Sequence, residues 1–154
     1  MWVDNKHGYI FGGCGLLREI QVVQYHIEWP KFHADEQDIM EFGVTEIIPN
    51  IKMGIADHGI LNKSKGVESL ESSFIMGWEN HLLAIYTDFS VVEAIKGRVA
   101  IGAGYAEAYG SLGERGPWSK EDVIEAARRA TLTAQGVGGD IYYVSSKDLK
   151  IKKA

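Results

Sequence analysis

One cysteine, five histidines and several glycine turns are the parts of this sequence that could do chemistry. A cysteine nucleophile needs a neighbouring base and a lowered pKa. Cys14 lies in Gly12-Gly13-Cys14-Gly15, between an apolar run and a helical pattern, where helix amides could favour a thiolate. A small residue packed in a tight turn is the simpler reading. His26, Glu28, His33, Asp35, Glu36 and Asp38 could be imagined as metal ligands, but Pro30 separates the two histidines. Neither an HExxH pattern nor a cysteine pair supports them, so a solvated link and no metal are expected. His7, His58 and His81 stand alone. Gly102-x-Gly104 runs into Tyr105-Ala106-Glu107 without a third glycine, so a turn is expected there rather than a nucleotide cofactor. No G-x-S-x-G elbow occurs.

The elements that must position these residues follow from hydrophobic period. Gly8 to Phe11 reads as a strand entering the glycine turn. Leu16 to Trp29 has helical spacing through Leu16, Leu17, Ile20, Val23 and Ile27, and Pro30 ends it. Asp38 begins a second helical pattern with Ile39, Phe42, Ile47, Ile48 and Ile51 on one side, which Pro49 should kink or end. Asn62 to Ser69 reads as a loop. Ser72 to Trp78 and His81 to Tyr86 read as a hairpin turning at Glu79-Asn80, with a short strand at Val91 to Ile95. Val99 to Gly104 reads as a strand ending in a glycine loop, and Tyr105 to Leu112 as a helix. Ser119, three residues before Asp122, fits the N-cap of a helix whose apolar face is Val123, Ile124, Ala127 and Ala130. Ile141 to Val144 reads as a last strand. Paired helices on each side of a hairpin-rich middle favour a layered α+β sandwich over alternating βαβ units.

Composition sets the class. A chain of 154 residues fits one domain, 1–154, with a core of its own. The net charge of −5 argues against a nucleic-acid partner. Lys147, Lys150, Lys152 and Lys153 read as a solvated tail. A single cysteine excludes an intrachain disulfide and suits a reducing compartment. The start, Met1 to Lys6, lacks the apolar stretch of a signal peptide. No apolar run nears the roughly 18 residues of a membrane span. The expected location is cytoplasmic, with no membrane partner.

Three stretches together carry a family resemblance. Lys6-His7-Gly8-Tyr9-Ile10-Phe11-Gly12-Gly13-Cys14-Gly15-Leu16-Leu17-Arg18-Glu19 is similar to the strand-glycine-helix passage of proteasome-type Ntn hydrolases. Val99-Ala100-Ile101-Gly102-Ala103-Gly104-Tyr105-Ala106 resembles the family's A-I-G-S-G-x-x-A loop. Ser119 to Val144 looks like its late helix, Gly-Gly pair and final strand. The resemblance is to HslV-like threonine peptidase subunits and spans essentially the whole chain.

The resemblance implies a four-layer αββα sandwich and assembly into homo-oligomeric rings, with an ATPase unfoldase or another protein as partner. It implies that a backbone N–H of Gly15 contributes to an oxyanion hole. It also implies departures. In the family a segment ahead of the point matching Met1 holds the catalytic threonine, two strands, an aspartate and a lysine, so this chain reads as N-terminally truncated. The serine of the A-I-G-S-G loop is Ala103 here, and the family's serine and aspartate near the Gly-Gly pair read Val137 and Ala134. Alanine and valine carry no proton and orient no amine. Two readings follow. The chain is a threonine peptidase subunit that lacks its nucleophile and is inactive as given, or it is a non-catalytic ring-forming or partner-binding subunit. Truncation would also create a sheet edge beside Gly8 to Phe11, which we expect to be covered by a neighbouring subunit or to mark a chain trimmed from a longer protein, rather than to stand open.

Overall fold

The structure is a computed structural model that describes residues 1–94, 96–113 and 116–154. Its centre is an antiparallel sheet of five strands. In spatial order these are β1 (Trp2–Asp4), β2 (Tyr9–Cys14), β5 (Ser73–Trp78), β6 (His81–Ile85) and β7 (Val91–Glu93). The strands β3 (Asn62–Ser64) and β4 (Val67–Ser69) form a separate hairpin where a plain loop was expected; Lys65 and Gly66 turn it with positive φ.

Strand alternation sorts the residues onto two faces. Phe11 lies opposite Met76, and Met76 opposite Leu83. Tyr9, Phe11, Phe74, Met76, Leu83 and Ile85 are therefore on one face, and all are buried. The helices α1 (Leu17–Tyr25), α2 (Ile39–Phe42) and α3 (Ile48–Asp57) close it with Val22, Val23, Phe42, Ile47, Ile51 and Ile55. Asp38 caps α2 by accepting the Glu41 N–H at 2.8 Å. A π-turn, Gly43–Ile47, joins α2 to α3, so that Pro49 falls in the first turn of α3. A missing N–H is tolerated there. The helix α1 ends at Tyr25, four residues short of the spacing-based expectation. Beyond it the chain is fastened by Tyr9, whose hydroxyl donates to the Pro30 carbonyl at 3.0 Å and accepts the Phe32 N–H at 2.8 Å. That leaves Trp29 stacked on Phe11 at 4.4 Å.

The other face of the sheet carries Ile10, Gly12, Cys14, Ile75, Ala84 and Val92, most of them only partly covered. Towards it lie α4 (Tyr105–Leu112) and α5 (Lys120–Thr133), which pack on each other. The helix α5 starts at a capping box: Ser119 Oγ accepts the Asp122 N–H at 3.2 Å, and Asp122 accepts the Ser119 N–H at 2.8 Å. Its buried stripe is Ala126 and Ala130, continued by Ala134, while Val123 stays exposed. Small residues win because α4 approaches closely: a Cβ at Gly104 would sit 3.0 Å from the Ala130 Cβ.

Three expectations are corrected. The edge beside Tyr9 to Phe11 is covered by the chain's own first residues, β1, rather than by a neighbouring subunit, and Trp2 stacks on Phe11 at 5.2 Å. Val99 to Gly104 is not a strand, because a strand needs a ladder partner and none pairs with it among the described residues. The last strand shrinks to β8 (Tyr142–Tyr143), and part of the basic tail pairs with it as β9 (Lys152–Lys153). The expected strand at Val91 to Ile95 is β7, its final residue lying outside the described residues. Among the described residues no helix is long and apolar enough to cross a membrane.

Candidate functional site

Gly15 follows directly on β2 with φ of +123°, a conformation L side chains rarely adopt. A Cβ there would lie 2.3 Å from the Glu71 carbonyl oxygen and 2.6 Å from the Ser72 Cα. Only glycine fits. The loop that presses on it is held from below by Glu19, a fully buried carboxylate whose two oxygens accept the Glu71 N–H at 3.0 and 3.1 Å. Ser72, also fully buried, donates its hydroxyl to the Leu16 carbonyl at 3.3 Å. The acidic residue early in α1 is thus a brace that fixes the turn. Among the described residues the Gly15 N–H meets no backbone carbonyl, which suits a donor role.

Cys14 sits beside this turn on the partly covered face. It lies against the glycine loop of Ile101 to Gly104, its Sγ 3.6 Å from where a Cβ of Gly102 would be. Burial pushes the thiol pKa up, and a hydrogen bond involving the Ser73 backbone only partly opposes this. The thiol is therefore protonated near neutral pH, the reverse of what a nucleophile requires. The structure brings Gly15, Cys14 and the Gly102 loop into one junction. It does not bring a base to them.

The other candidates are engaged elsewhere. His7 Nδ1 pairs with Asp4 at 2.7 Å and His81 with Glu93 at 3.4 Å. His26 stacks against His58, with ring centroids 4.3 Å apart, rather than meeting His33. No group of three potential metal ligands gathers among the described residues. Ala103 is exposed. Ala134 and Val137 pack on Gly104, at 3.5 and 3.2 Å from its would-be Cβ. These two positions serve the α4–α5 contact and point no polar group anywhere.

Sequence reading missed one group. Arg98 lays its guanidinium over Tyr109, 4.4 Å from the ring centroid, and over Trp118 at 5.0 Å. Its Nε and Nη1 are buried and have no hydrogen-bond partner among the described residues. Tyr109 also donates to the Arg98 carbonyl at 3.4 Å. Arg98 and Lys96 border two clefts, of about 740 and 850 Å³, between the half-covered sheet face and α4–α5. No spacing announces this group, because Tyr109 and Trp118 meet Arg98 only through the fold.

With this geometry in view, solved structures supply the likeness. The Thiobacillus denitrificans BPH in complex with epoxomicin superimposes with a TM-score of 0.65 at 14% identity, covering 86% of this chain and 71% of that one. A second structure of the Thiobacillus denitrificans BPH gives 0.64 at 14%, covering 88% and 76%. A eukaryotic HslV from Trypanosoma brucei gives 0.45 at 16%, covering 80% and 67%. The chain has a mixed α/β fold similar to proteasome-like Ntn-hydrolase folds. At such identities the likeness is one of fold. No family model and no curated protein matches the sequence.

Proposed function

We propose that this chain is the larger part of a single-domain, proteasome/HslV-type threonine peptidase subunit that is catalytically silent in the form described. The observation that carries the reading is the junction at Gly15. A glycine that no other residue can replace presents an unengaged N–H at the end of a core strand, in a fold like that of the BPH structures. Such an N–H is what an oxyanion hole requires. A nucleophile and its base would have to come from residues beyond Met1 to Ala154. The half-covered sheet face fits further strands that would complete a four-layer αββα sandwich. The α1–α3 side supports assembly into a homo-oligomeric ring, though not through the apolar helix faces within Leu16 to Trp29 and Ile39 to Ile51. Those faces are spent in the subunit's own core, which leaves Leu17, Tyr25, Val44 and Met53 exposed for contact. An ATPase unfoldase is the corresponding protein partner, and the cytoplasm the corresponding location.

A second reading has its own support. Ala134 and Val137 are built into the α4–α5 packing, so restoring polar residues there would disturb a well-formed contact. That favours a subunit that binds or forms rings without catalysis.

The test joins the gene's upstream codons to this chain and assays fluorogenic peptides, with epoxomicin, the compound bound by the BPH neighbour, as inhibitor. The peptidase reading expects no hydrolysis by residues 1–154 and inhibitor-sensitive hydrolysis by the extended protein. Inhibitor-sensitive hydrolysis by the 154-residue chain would sink the claim of silence. A folded, extended ring without hydrolysis would establish the second reading instead.

A further inference from the structure

We propose that Arg98 is the anchor for a carboxylate carried on an extended, mainly apolar peptide segment, which lies in the clefts between the half-covered sheet face and α4–α5. The inference rests on the reading above that further strands cover this face; it adds the chemistry that selects them.

Four observations converge. The two clefts share Lys96, Arg98 and Val99, so one elongated occupant could run through both. Their walls are mostly apolar, with Ala84, Val92 and Ala100 lining the first and Ile75, Leu82 and Val123 lining the second. Among the described residues Val99, Ala100 and Ile101 make no backbone hydrogen bonds, which suits pairing with an added strand. Finally, Arg98 lies over the rings of Tyr109 and Trp118 and buries two nitrogens, Nε and Nη1, that meet no acceptor among the described residues. Buried N–H groups of a cation without acceptors are unfavourable, and an anion would satisfy them. A carboxylate matches the planar fork of arginine. Lys96 adds a second positive charge at the same rim. The one carboxylate lining the first cleft, Glu93, is turned to His81. Apolar walls and open backbone groups favour a peptide over a free inorganic anion.

The experiment uses the 154-residue chain and labelled peptides about eight residues long, a common strand length. Each alternates valine and threonine and carries one central Asp, Asn or Lys. Fluorescence polarisation gives affinities, and hydrogen exchange reports on the amides of Val99 to Ile101. The Asp peptide should bind about tenfold tighter than the Asn peptide, as a charge-assisted bond in a shielded site implies. It should slow exchange at Val99 to Ile101. Arg98→Met should abolish the preference for Asp, and Arg98→Lys should restore part of it. Because the Asp/Asn comparison is made first on the unaltered chain, a variant that fails to fold does not remove the test. Equal binding of Asp and Asn peptides with slowed exchange would overturn the role of Arg98 and leave the covered face standing. Absence of binding by any peptide, or displacement of the Asp peptide by millimolar phosphate alone, would overturn the inference. So would a concentration-dependent dimer that excludes the peptides.

Discussion

The two faces of the five-stranded sheet come from the same strands and have opposite fates. On one face Tyr9, Phe11, Phe74, Met76, Leu83 and Ile85 meet α1–α3 and lose nearly all contact with water. On the other face Ile10, Gly12, Cys14 and Ile75 are only partly covered, and a cleft lies between Ile75 and the α4–α5 side. The first face resembles a finished protein interior. The second has the chemistry of an interior without its density: small residues, backbone groups at Val99 to Ile101 unpaired among the described residues, and a half-buried arginine whose Nε and Nη1 meet no acceptor among them. Stability should therefore reside on the first face and function on the second, with Gly15 at the boundary.

The largest effect should come from breaking the sealed face. Phe74→Ala removes a fully buried ring between Trp2 and Gly13 and should cost about 3–5 kcal/mol in denaturant unfolding. Val92→Ala, on the open face, should change stability by no more than about 0.5 kcal/mol. Equal losses at the two positions would show that the second face is packed as well as the first.

At the boundary, Gly15→Ala should destabilise by about 1–3 kcal/mol from the positive φ alone, and more from the clash with Glu71 and Ser72. Gly12→Ala, within β2 and with nothing within 4 Å of its Cβ, is the control and should be neutral or stabilise by up to about 1 kcal/mol. In the extended protein, a loss of hydrolysis in Gly15→Ala that exceeds its loss of folded population would sharpen the oxyanion reading.

Glu19→Gln keeps the shape of the brace but buries an amide donor with no acceptor. It should cost about 1–3 kcal/mol and speed exchange of the Glu71 amide. Unchanged exchange there would mean that the loop holds itself.

The smallest effect concerns Cys14. Its folded pKa is raised by burial, so the thiolate forms later with rising pH than in the unfolded chain. Stability is accordingly greatest below the unfolded thiol's pKa and declines as pH rises through the folded value. Iodoacetamide should label the native chain more slowly than the urea-unfolded chain across mildly alkaline pH. Faster native labelling would revive Cys14 as a nucleophile.

Much of this molecule was legible in its sequence, for local reasons. Period and capping announced α5 through Ser119 and Asp122, α2–α3 through Asp38 and the isoleucines, and the β5–β6 hairpin through its alternation. These elements carry their own stop signals and apolar stripes, so nearest-neighbour chemistry suffices to specify them. The glycine turn at Gly15 was legible too, but its reason was not. Only the fold brings Glu71 and Ser72 against it, from more than fifty residues away along the chain. Tertiary structure also overruled two local signals. Val99 to Gly104 has the composition of a strand and no ladder to join, because strand formation is a property of pairs. Trp2 to Asp4 carried no strand expectation, yet it pairs with β2 and becomes the outer strand of the sheet. The grouping of Arg98 with Tyr109 and Trp118 could not be read from spacing at all, since a cation between two rings depends on where two separate segments come to rest. The sequence by itself determined which segments are helices and hairpins and which side of each is apolar. The tertiary structure decided which apolar face is sealed and which charged group is buried without a partner, because both depend on contacts between residues far apart in the chain.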